Sequence, residues 1–259
     1  MRNLTRLKYD EHEGVALISL DRPRKRNALD AATVHELGGA IGAAEGSDRI
    51  RVILLRGEGP DFCAGADLSE MEKLVSAAGP LENLQDAAQL GALLVRMRRL
   101  RKPIIAAVHG HALAGGAGLA TACDLVVAAD DAVFGYPEVR LGFVPAMVMA
   151  LLRRSVGEKR AFELVATGEP ISSERAVAIG LANRVFAADG FQDSALEFAV
   201  ELARRPASAL ELNKRLLYGM DGASFEESIA RGAEINALAR LSEETRAGVR
   251  RFLERQPRP

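Results

Sequence analysis

The fold is decided by residues 103–145, which read PIIAAVHGHALAGGAGLATACDLVVAADDAVFGYPEVRLGFVP. Two apolar runs, IIAAV at 104–108 and LVVAA at 125–129, are short and continuous, and each lies close to a Gly-rich or polar turn. Runs of this kind are typical of strands buried on both faces, which occur in parallel sheets covered by helices. The segment therefore predicts a mostly parallel sheet.

The rest of the first two thirds repeats this alternation. Strands are predicted over residues 4–9, 15–20 and 52–55, and helices over about 84–100 and after Asp30, a plausible N-cap. In the latter helix, Val34, Leu37, Ile41 and Ala44 recur at helical spacing. Alternating short strands and helices predict an α/β fold.

Beyond about residue 185 the strand signals stop, and helices are predicted over about 190–204, 207–217, 225–240 and 242–255. We therefore divide the chain into an α/β core, residues 1–189, and a helical region, residues 190–259. The partly apolar stripes of these helices need a surface to cover, and that surface could belong to another subunit.

Charge and hydropathy exclude several classes of binding partner. With 34 Lys+Arg against 35 Asp+Glu, the 259-residue chain has a net charge of −1, so no overall positive field attracts nucleic acid or an anionic membrane. The longest largely apolar run, 141–152, contains a proline and is well below the ~20 residues that span a bilayer. The N-terminus is charged where a signal peptide would be apolar, so we expect a cytoplasmic protein without membrane partners.

Metal and nucleotide cofactors are not expected. No Cys or second His stands at zinc-finger or HExxH spacing, and the pair His109 and His111 has no visible third ligand. The loop GHALAG is followed by Gly116 and not by Lys-Ser/Thr, and it lacks the third glycine of GxGxxG. These departures disfavour phosphoryl transfer and dinucleotide binding.

Two Gly-rich turns, in residues 59–69 and 109–124, run from a buried strand towards a helix and leave N–H groups free. If Ala66 and Gly115 meet in space, their N–H groups could bind one oxygen that becomes negative during a reaction. The alternative is that both are only tight turns that need glycine. Glu138 lies within a third Gly-containing segment, residues 134–145, among apolar residues. Such surroundings suit a general base or acid, although a glutamate beside a proline is often a solvated turn residue.

Together these segments resemble the crotonase, or enoyl-CoA hydratase/isomerase, superfamily. The resemblance rests on RPRKRNAL at 22–29, FCAGADLSEM at 62–71, the stretch 106–145 and the tail GVRRFLERQPRP at 248–259, in family order and spacing. It implies a crotonase-like ββα spiral core followed by a C-terminal helical oligomerisation region. It also implies a homo-oligomer, a trimer or a dimer of trimers.

The resemblance implies roles for particular residues. The N–H groups of Ala66 and Gly115 would bind the thioester oxygen of an acyl-CoA as an enolate forms. CoA belongs to the substrate, so no separate cofactor is expected. Residues expected near the substrate or CoA, some of which could instead be solvated surface side chains, are Arg24, Arg26, Ala64, Asp67, Leu68, Phe252 and Arg255.

The most informative departure from the family pattern is at Gly118. Family hydratases use two glutamates, which fall on Glu138 and on Gly118, a residue without a side chain. One carboxylate can still move a proton between C4 and C2, so the resemblance favours enoyl-CoA isomerisation by Glu138. Another branch uses an aspartate where this chain has Ala146, so its chemistry is not supported.

Three alternatives stay open beside isomerisation. The first is hydration, by Glu138 alone or with a water held by another residue. The second is a different acyl-CoA reaction, because a glycine at 118 is expected to leave room for a bulkier acyl group. The third is a non-catalytic or RNA-binding relative, which the balanced charge disfavours.

Overall fold

The computed structural model describes residues 4–254, which form nine strands and eleven helices. The strands are β1 (Leu7–His12), β2 (Val15–Leu20), β3 (Val52–Gly57), β4 (Ile104–Val108), β5 (His111–Leu113), β6 (Leu125–Ala129), β7 (Val133–Gly135), β8 (Ile171–Ser172) and β9 (Arg184–Phe186). The helices are α1 (Ala31–Gly46), α2 (Leu68–Ala77), α3 (Pro80–Arg99), α4 (Gly115–Thr121), α5 (Ala146–Val156), α6 (Glu158–Thr167), α7 (Ser173–Ala178), α8 (Phe191–Ala203), α9 (Ala207–Gly219), α10 (Phe225–Leu241) and α11 (Glu243–Glu254).

The core is a six-stranded sheet in the order β1-β2-β3-β4-β6-β9. Only the β1–β2 pair is antiparallel, and the other four pairs are parallel. A second sheet has the order β5-β7-β8. Since β4 and β6 each lie in the large sheet while the next strand of each lies in the small one, the chain spirals between two sheets. The predicted α/β spiral core is confirmed.

Strand and helix positions follow the local sequence pattern closely. β2 and β4 are buried along their whole length, as continuous apolar runs require. Helix α1 begins where Asp30 caps it, and the Asp30 side chain accepts a hydrogen bond from the Thr33 N–H. The predicted bounds differ most at α3, which begins at Pro80 and not at residue 84, and at β1, which covers 7–12 and not the predicted 4–9.

The C-terminal helices differ in how they pack. Helix α8 contacts β2, β3, β4 and β9, and it buries Phe191, Ala195 and Ala199, so its apolar stripe covers the chain's own sheet. By contrast, α10 and α11 contain no buried residue. The division at residue 189 stays a prediction. No helix within residues 4–254 is long and apolar enough to cross a membrane.

Candidate functional site

Two loops, one after β3 and one after β4, meet at the edge of the large sheet. Cys63 pairs with Ala112 in a parallel bridge, and its N–H donates to the His111 carbonyl at 3.0 Å. The approach requires glycine: a Cβ on Gly116 would lie 2.2 Å from the Cys63 oxygen. At Gly65, with φ +100°, a Cβ would lie 2.8 Å from that of Ala114. The two glycine-rich segments are therefore packed against each other.

This packing brings Ala66 and Gly115 together. A Cβ on Gly115 would lie 3.8 Å from the Ala66 nitrogen. Within residues 4–254 neither backbone N–H donates a hydrogen bond to another protein group. Ala114, just before Gly115, has φ +49°, a conformation that costs a non-glycine residue on the order of 1–3 kcal/mol. Two free donors thus lie side by side.

A cavity of about 560 Å³ opens beside these donors. Its wall comes from α1, α2, α3 and the loops that precede α2 and α5, and most of its lining is apolar. The lining residues are Leu29, Asp30, Ala31, Val34, Ala66, Asp67, Glu70, Met71, Leu74, Val75, Asn83, Asp86, Ala87, Gln89, Leu90, Gly115 and Phe143. The volume falls within the range of small-molecule sites.

Arg22 connects the residues that precede α1 and α2. Its Nη2 lies 2.8 Å from Asp67 Oδ2 and 3.2 Å from Asp30 Oδ2. Asp67 also caps α2 by accepting a hydrogen bond from Ser69 N. The hydroxyl of Ser69 and the Arg22 guanidinium hold the pKa of Asp67 well below its usual range. Asp67, expected near substrate, therefore has its carboxylate engaged within the protein.

A second charged cluster joins three of the family motifs. Asp61 Oδ1 accepts hydrogen bonds from the N–H and Nδ1 of His111, at 3.0 and 2.7 Å. Asp61 Oδ2 accepts from Arg26 Nε at 2.7 Å. Burial alone would raise the pKa of Asp61, but the hydrogen bonds from Arg26 and His111 outweigh it and lower the pKa to about 2. Arg26, expected near CoA, is thus paired with a carboxylate that ties the two loops together.

Glu138 lies in a 3₁₀ turn, Pro137–Leu141, directly after β7. It is 8% exposed, and its Oε2 atom has no hydrogen-bond partner within the described residues. Burial raises the pKa of Glu138, and its own N–H opposes that effect. Its neighbours Leu141 and Val144 are more than 60% exposed, so tertiary packing, and not these apolar neighbours, buries the carboxylate.

Of the three expected catalytic groups, the N–H groups of Ala66 and Gly115 and the Glu138 carboxylate, the structure brings two into one cavity. Ala66 and Gly115 share the cavity, while Glu138 is not among its lining residues. The link is Phe143, which lines the cavity and whose N–H donates to the Glu138 carbonyl at 3.0 Å. The turn that carries Glu138 is thus joined to the cavity wall through a backbone hydrogen bond.

The space expected beside Gly118 is filled. A Cβ on Gly118 would lie 2.2 Å from Cγ2 of Val148, which projects from α5 and is 3% exposed. The expectation that this glycine leaves room for a bulkier acyl group was therefore wrong. A side chain from a helix 30 residues later in the chain occupies that room, which the sequence at 118 could not reveal.

The remaining expected residues are spread over the surface. Arg24 is exposed, Leu68 is 62% exposed and Phe252, on α11, is 65% exposed. The Ala64 N–H donates to the Arg26 carbonyl at 2.9 Å. Arg255 lies outside the described residues. Among residues 4–254, no group of three or more His, Cys, Asp or Glu side chains could hold a metal.

Sequence reasoning missed Arg22, Asp61 and Phe143 as parts of the site. The first two are charged residues inside motifs that had already been singled out, RPRKRNAL and the turn before FCAGADL. Their charge was a usable signal, since buried charges are generally paired. Phe143 carried no local signal, because its place in the wall depends on how the turn after β7 packs.

Comparison with known proteins identifies the family to which the chain belongs. The sequence model described as enoyl-CoA hydratase/isomerase matches residues 10–259. A 2,3-dehydroadipyl-CoA hydratase of Escherichia coli is 35% identical over 98% of this chain and 97% of its own. A short-chain-enoyl-CoA hydratase of Clostridium acetobutylicum is 31% identical over 95% and 94%.

Solved structures agree in fold. An enoyl-CoA hydratase of Mycobacterium smegmatis superposes with a TM-score of 0.92 at 32% identity and covers 99% of both chains. Its likeness extends over the spiral core and the helical region alike. The two packed glycine-rich loops, the spiral of two sheets and the match along the chain make this protein an enzyme of the enoyl-CoA hydratase/isomerase family.

Proposed function

We propose that this protein isomerises enoyl-CoA thioesters, moving a double bond from C3–C4 to C2–C3 with Glu138 as the only catalytic carboxylate. The observation that carries the proposal is the pairing of a buried carboxylate at Glu138 with a filled, carboxylate-free position at Gly118. The thioester oxygen would accept hydrogen bonds from the N–H groups of Ala66 and Gly115.

In the first step, the Glu138 carboxylate takes a proton from C2 and the electron pair of that C–H bond moves into a dienolate. Negative charge collects on the thioester oxygen, where the two backbone donors stabilise it more strongly than they stabilise the neutral carbonyl. Because these donors are fixed by loop packing, they need no reorganisation during the reaction.

In the second step, protonated Glu138 returns the proton to C4, and the remaining double bond lies between C2 and C3. The carboxylate is regenerated and no atom is gained or lost. A raised pKa suits this shuttle, because a group that must both accept and donate a proton works best with a pKa closer to the working pH.

Hydration is the second candidate, because the two curated relatives described above carry hydratase names. Hydration requires a water to be held and a proton to be delivered to C2. Position 118 offers no carboxylate, and its neighbour Val148 is apolar and buried. These features favour isomerisation over hydration.

Liquid chromatography that resolves the 2-enoyl from the 3-enoyl isomer, followed by mass spectrometry of the products, separates the two reactions. With 3-enoyl-CoA thioesters of several lengths, we expect conversion to the 2-enoyl isomers at unchanged mass. Glu138→Gln should abolish the conversion and leave CoA-thioester binding intact, while Glu163→Gln, an exposed glutamate on α6, should leave both intact. A product one water heavier from 2-enoyl-CoA would instead assign the protein as a hydratase.

We further propose that α10 and α11 are covered by other copies of this chain. Large apolar side chains on both helices are exposed, namely Phe225, Ile229, Leu238, Leu241, Val249, Phe252 and Leu253. Together with the absence of any buried residue in α10 and α11, these exposed apolar side chains indicate a surface that a partner covers. Light scattering after size exclusion should give the mass of a trimer or of a dimer of trimers, and a monomer would refute this.

A further inference from the structure

The cavity beside Ala66 and Gly115 has an unusual charge distribution. Its lining includes four carboxylates, Asp30, Asp67, Glu70 and Asp86, and within residues 4–254 it includes no Lys, Arg or His. The rest of the wall is mainly apolar. A ligand group that enters this cavity therefore meets apolar side chains and negative charge.

Two of the four carboxylates are neutralised inside the protein. Asp30 pairs with Arg6 at 2.9 Å, and Arg22 lies close to both Asp30 and Asp67. These two carboxylates are buried, and their partners are fixed by the fold. They contribute little net charge to the cavity.

The other two carboxylates, Glu70 and Asp86, have no counter-ion within residues 4–254. Glu70 accepts a hydrogen bond from the Ala31 N–H at 3.2 Å, and neither Glu70 nor Asp86 forms an ion pair with a described residue. They come from α2 and α3, which form one wall of the cavity. Two uncompensated negative charges therefore face whatever occupies the space between these helices.

This charge distribution decides which end of a CoA thioester enters. The nucleotide end carries phosphates, and these would meet only carboxylates in the cavity. The acyl end can instead cover Leu74, Leu90 and Phe143, which removes apolar surface from water. The acyl group thus fills the cavity, and its far end comes to lie against the wall formed by α2 and α3.

From this geometry we infer that the enzyme selects uncharged acyl groups and rejects acyl groups that end in a carboxylate. The inference rests on the proposed function, since it requires a CoA thioester at this site. It sets the protein apart from its Escherichia coli relative, whose name specifies a dehydroadipyl group, an acyl chain that ends in a carboxylate. Like charges brought close together oppose binding, and here Glu70 is half-buried while Asp86 is exposed, so the repulsion is strongest at low ionic strength.

Calorimetric titration of the whole protein with hexanoyl-CoA and adipoyl-CoA tests the inference. Both acyl chains have six carbons and are saturated, so neither thioester can be isomerised or hydrated, and they differ only at the terminal carboxylate. At low ionic strength we expect adipoyl-CoA to bind at least about tenfold more weakly. Raising the salt concentration should shrink the difference, because exposed charges are screened.

Variants identify the charges responsible. Glu70→Gln with Asp86→Asn should bring the two affinities to within about threefold, mainly by tightening adipoyl-CoA. Glu72→Gln is the matched control, because Glu72 is an exposed glutamate on the same helix α2 but does not line the cavity. It should leave the ratio unchanged.

Equal affinities for the two thioesters in the unaltered protein, or tighter binding of adipoyl-CoA, would overturn the inference and leave the proposed reaction standing. A tenfold ratio that persists in the double variant would also overturn it, because the selection would then arise elsewhere. If neither thioester binds, the proposed function and this inference both fall.

Discussion

Introducing a glutamate at position 118 tests whether Val148 really closes that position. A Cβ there would lie 2.2 Å from Cγ2 and 3.2 Å from Cγ1 of Val148, whereas carbon atoms in contact lie about 3.5–4.0 Å apart. Val148 is buried and β-branched, so it cannot turn aside easily. We therefore expect Gly118→Glu to lower the free energy of unfolding.

The size of the effect follows from two contributions. Overpacking a filled core costs about 1–3 kcal/mol. A buried polar group without a partner adds about 1–3 kcal/mol and a charged one more, so the single variant should lose at least about 2 kcal/mol of stability. Val148→Ala alone should cost about 1–3 kcal/mol through lost burial and the cavity that it leaves.

Combining the two substitutions should reveal their coupling. With Val148 shortened, the new side chain no longer meets the methyl groups of Val148. The free energy of unfolding that Gly118→Glu/Val148→Ala loses should therefore be about 1–3 kcal/mol smaller than the sum of the losses in the two single variants. Gly39→Glu is the matched control, because Gly39 lies in α1 and a Cβ at that residue would have no other atom within 4 Å. It should not destabilise the protein, since glycine is a poor helix former.

Urea unfolding at one fixed protein concentration measures all four variants, because the stability of the homo-oligomer proposed above would depend on concentration. If Gly118→Glu alone unfolds at the same urea concentration as the unaltered protein, position 118 is open and our account of Val148 is wrong. If the double variant folds, the proposed mechanism predicts that it gains hydration of 2-enoyl-CoA. Unchanged products from a folded double variant would show that a second carboxylate is not what hydration lacks.

Three further predictions concern charged groups. The acid limb of kcat/KM against pH should have its midpoint above 4.5, because burial raises the pKa of Glu138 and the reaction needs its ionised form. Asp61 has an ordinary pKa of 3.8 and a folded-state pKa of about 2, so it contributes about 2 kcal/mol of stability above pH 4 that is lost as the pH falls towards 2. Thermal unfolding between pH 7 and pH 2 should show less acid sensitivity in Asp61→Asn, and its stability at pH 7 should be lower. Lys214→Met should lower the free energy of unfolding, measured by urea unfolding, by about 3 kcal/mol. The substitution removes the buried ammonium that lies 2.7 Å from Asp124 and leaves that carboxylate without its cation. Lys73→Met, at an exposed lysine on α2, should change stability by less than about 0.5 kcal/mol.

Many elements of secondary structure were predictable because their signals are local, whereas the helices between residues 146 and 178 were not predicted. The run VALISL at 15–20 is β2 to the residue, and α8 to α11 begin and end within about two residues of their predicted bounds across the described chain. Asp30 was expected to cap α1 and does so. Each of these signals depends on residues within one or two turns of chain, so the sequence alone contains them.

The chemistry of the site was only half predictable. That a glutamate stands at only one of the two glutamate positions of the family hydratases follows from Gly118 and Glu138, and the family follows from the motifs. The sequence could not show that Val148 fills the space at Gly118, or that Asp61 joins Arg26 to His111. It could not show which groups bury Glu138, since the apolar residues next to it in sequence are exposed.

The physical reason is separation along the chain. The sequence by itself determined five of the strands, the long helices on either side of the site-bearing middle of the chain, the glycine-rich turns and the absence of a glutamate at position 118, because each depends on residue type and short-range spacing. Only the tertiary structure decided the shape and charge of the cavity, since its wall joins α1, α2, α3 and two loops that are distant from one another in the sequence. Close packing of side chains from distant segments, and not any local pattern, fixes what can enter such a cavity.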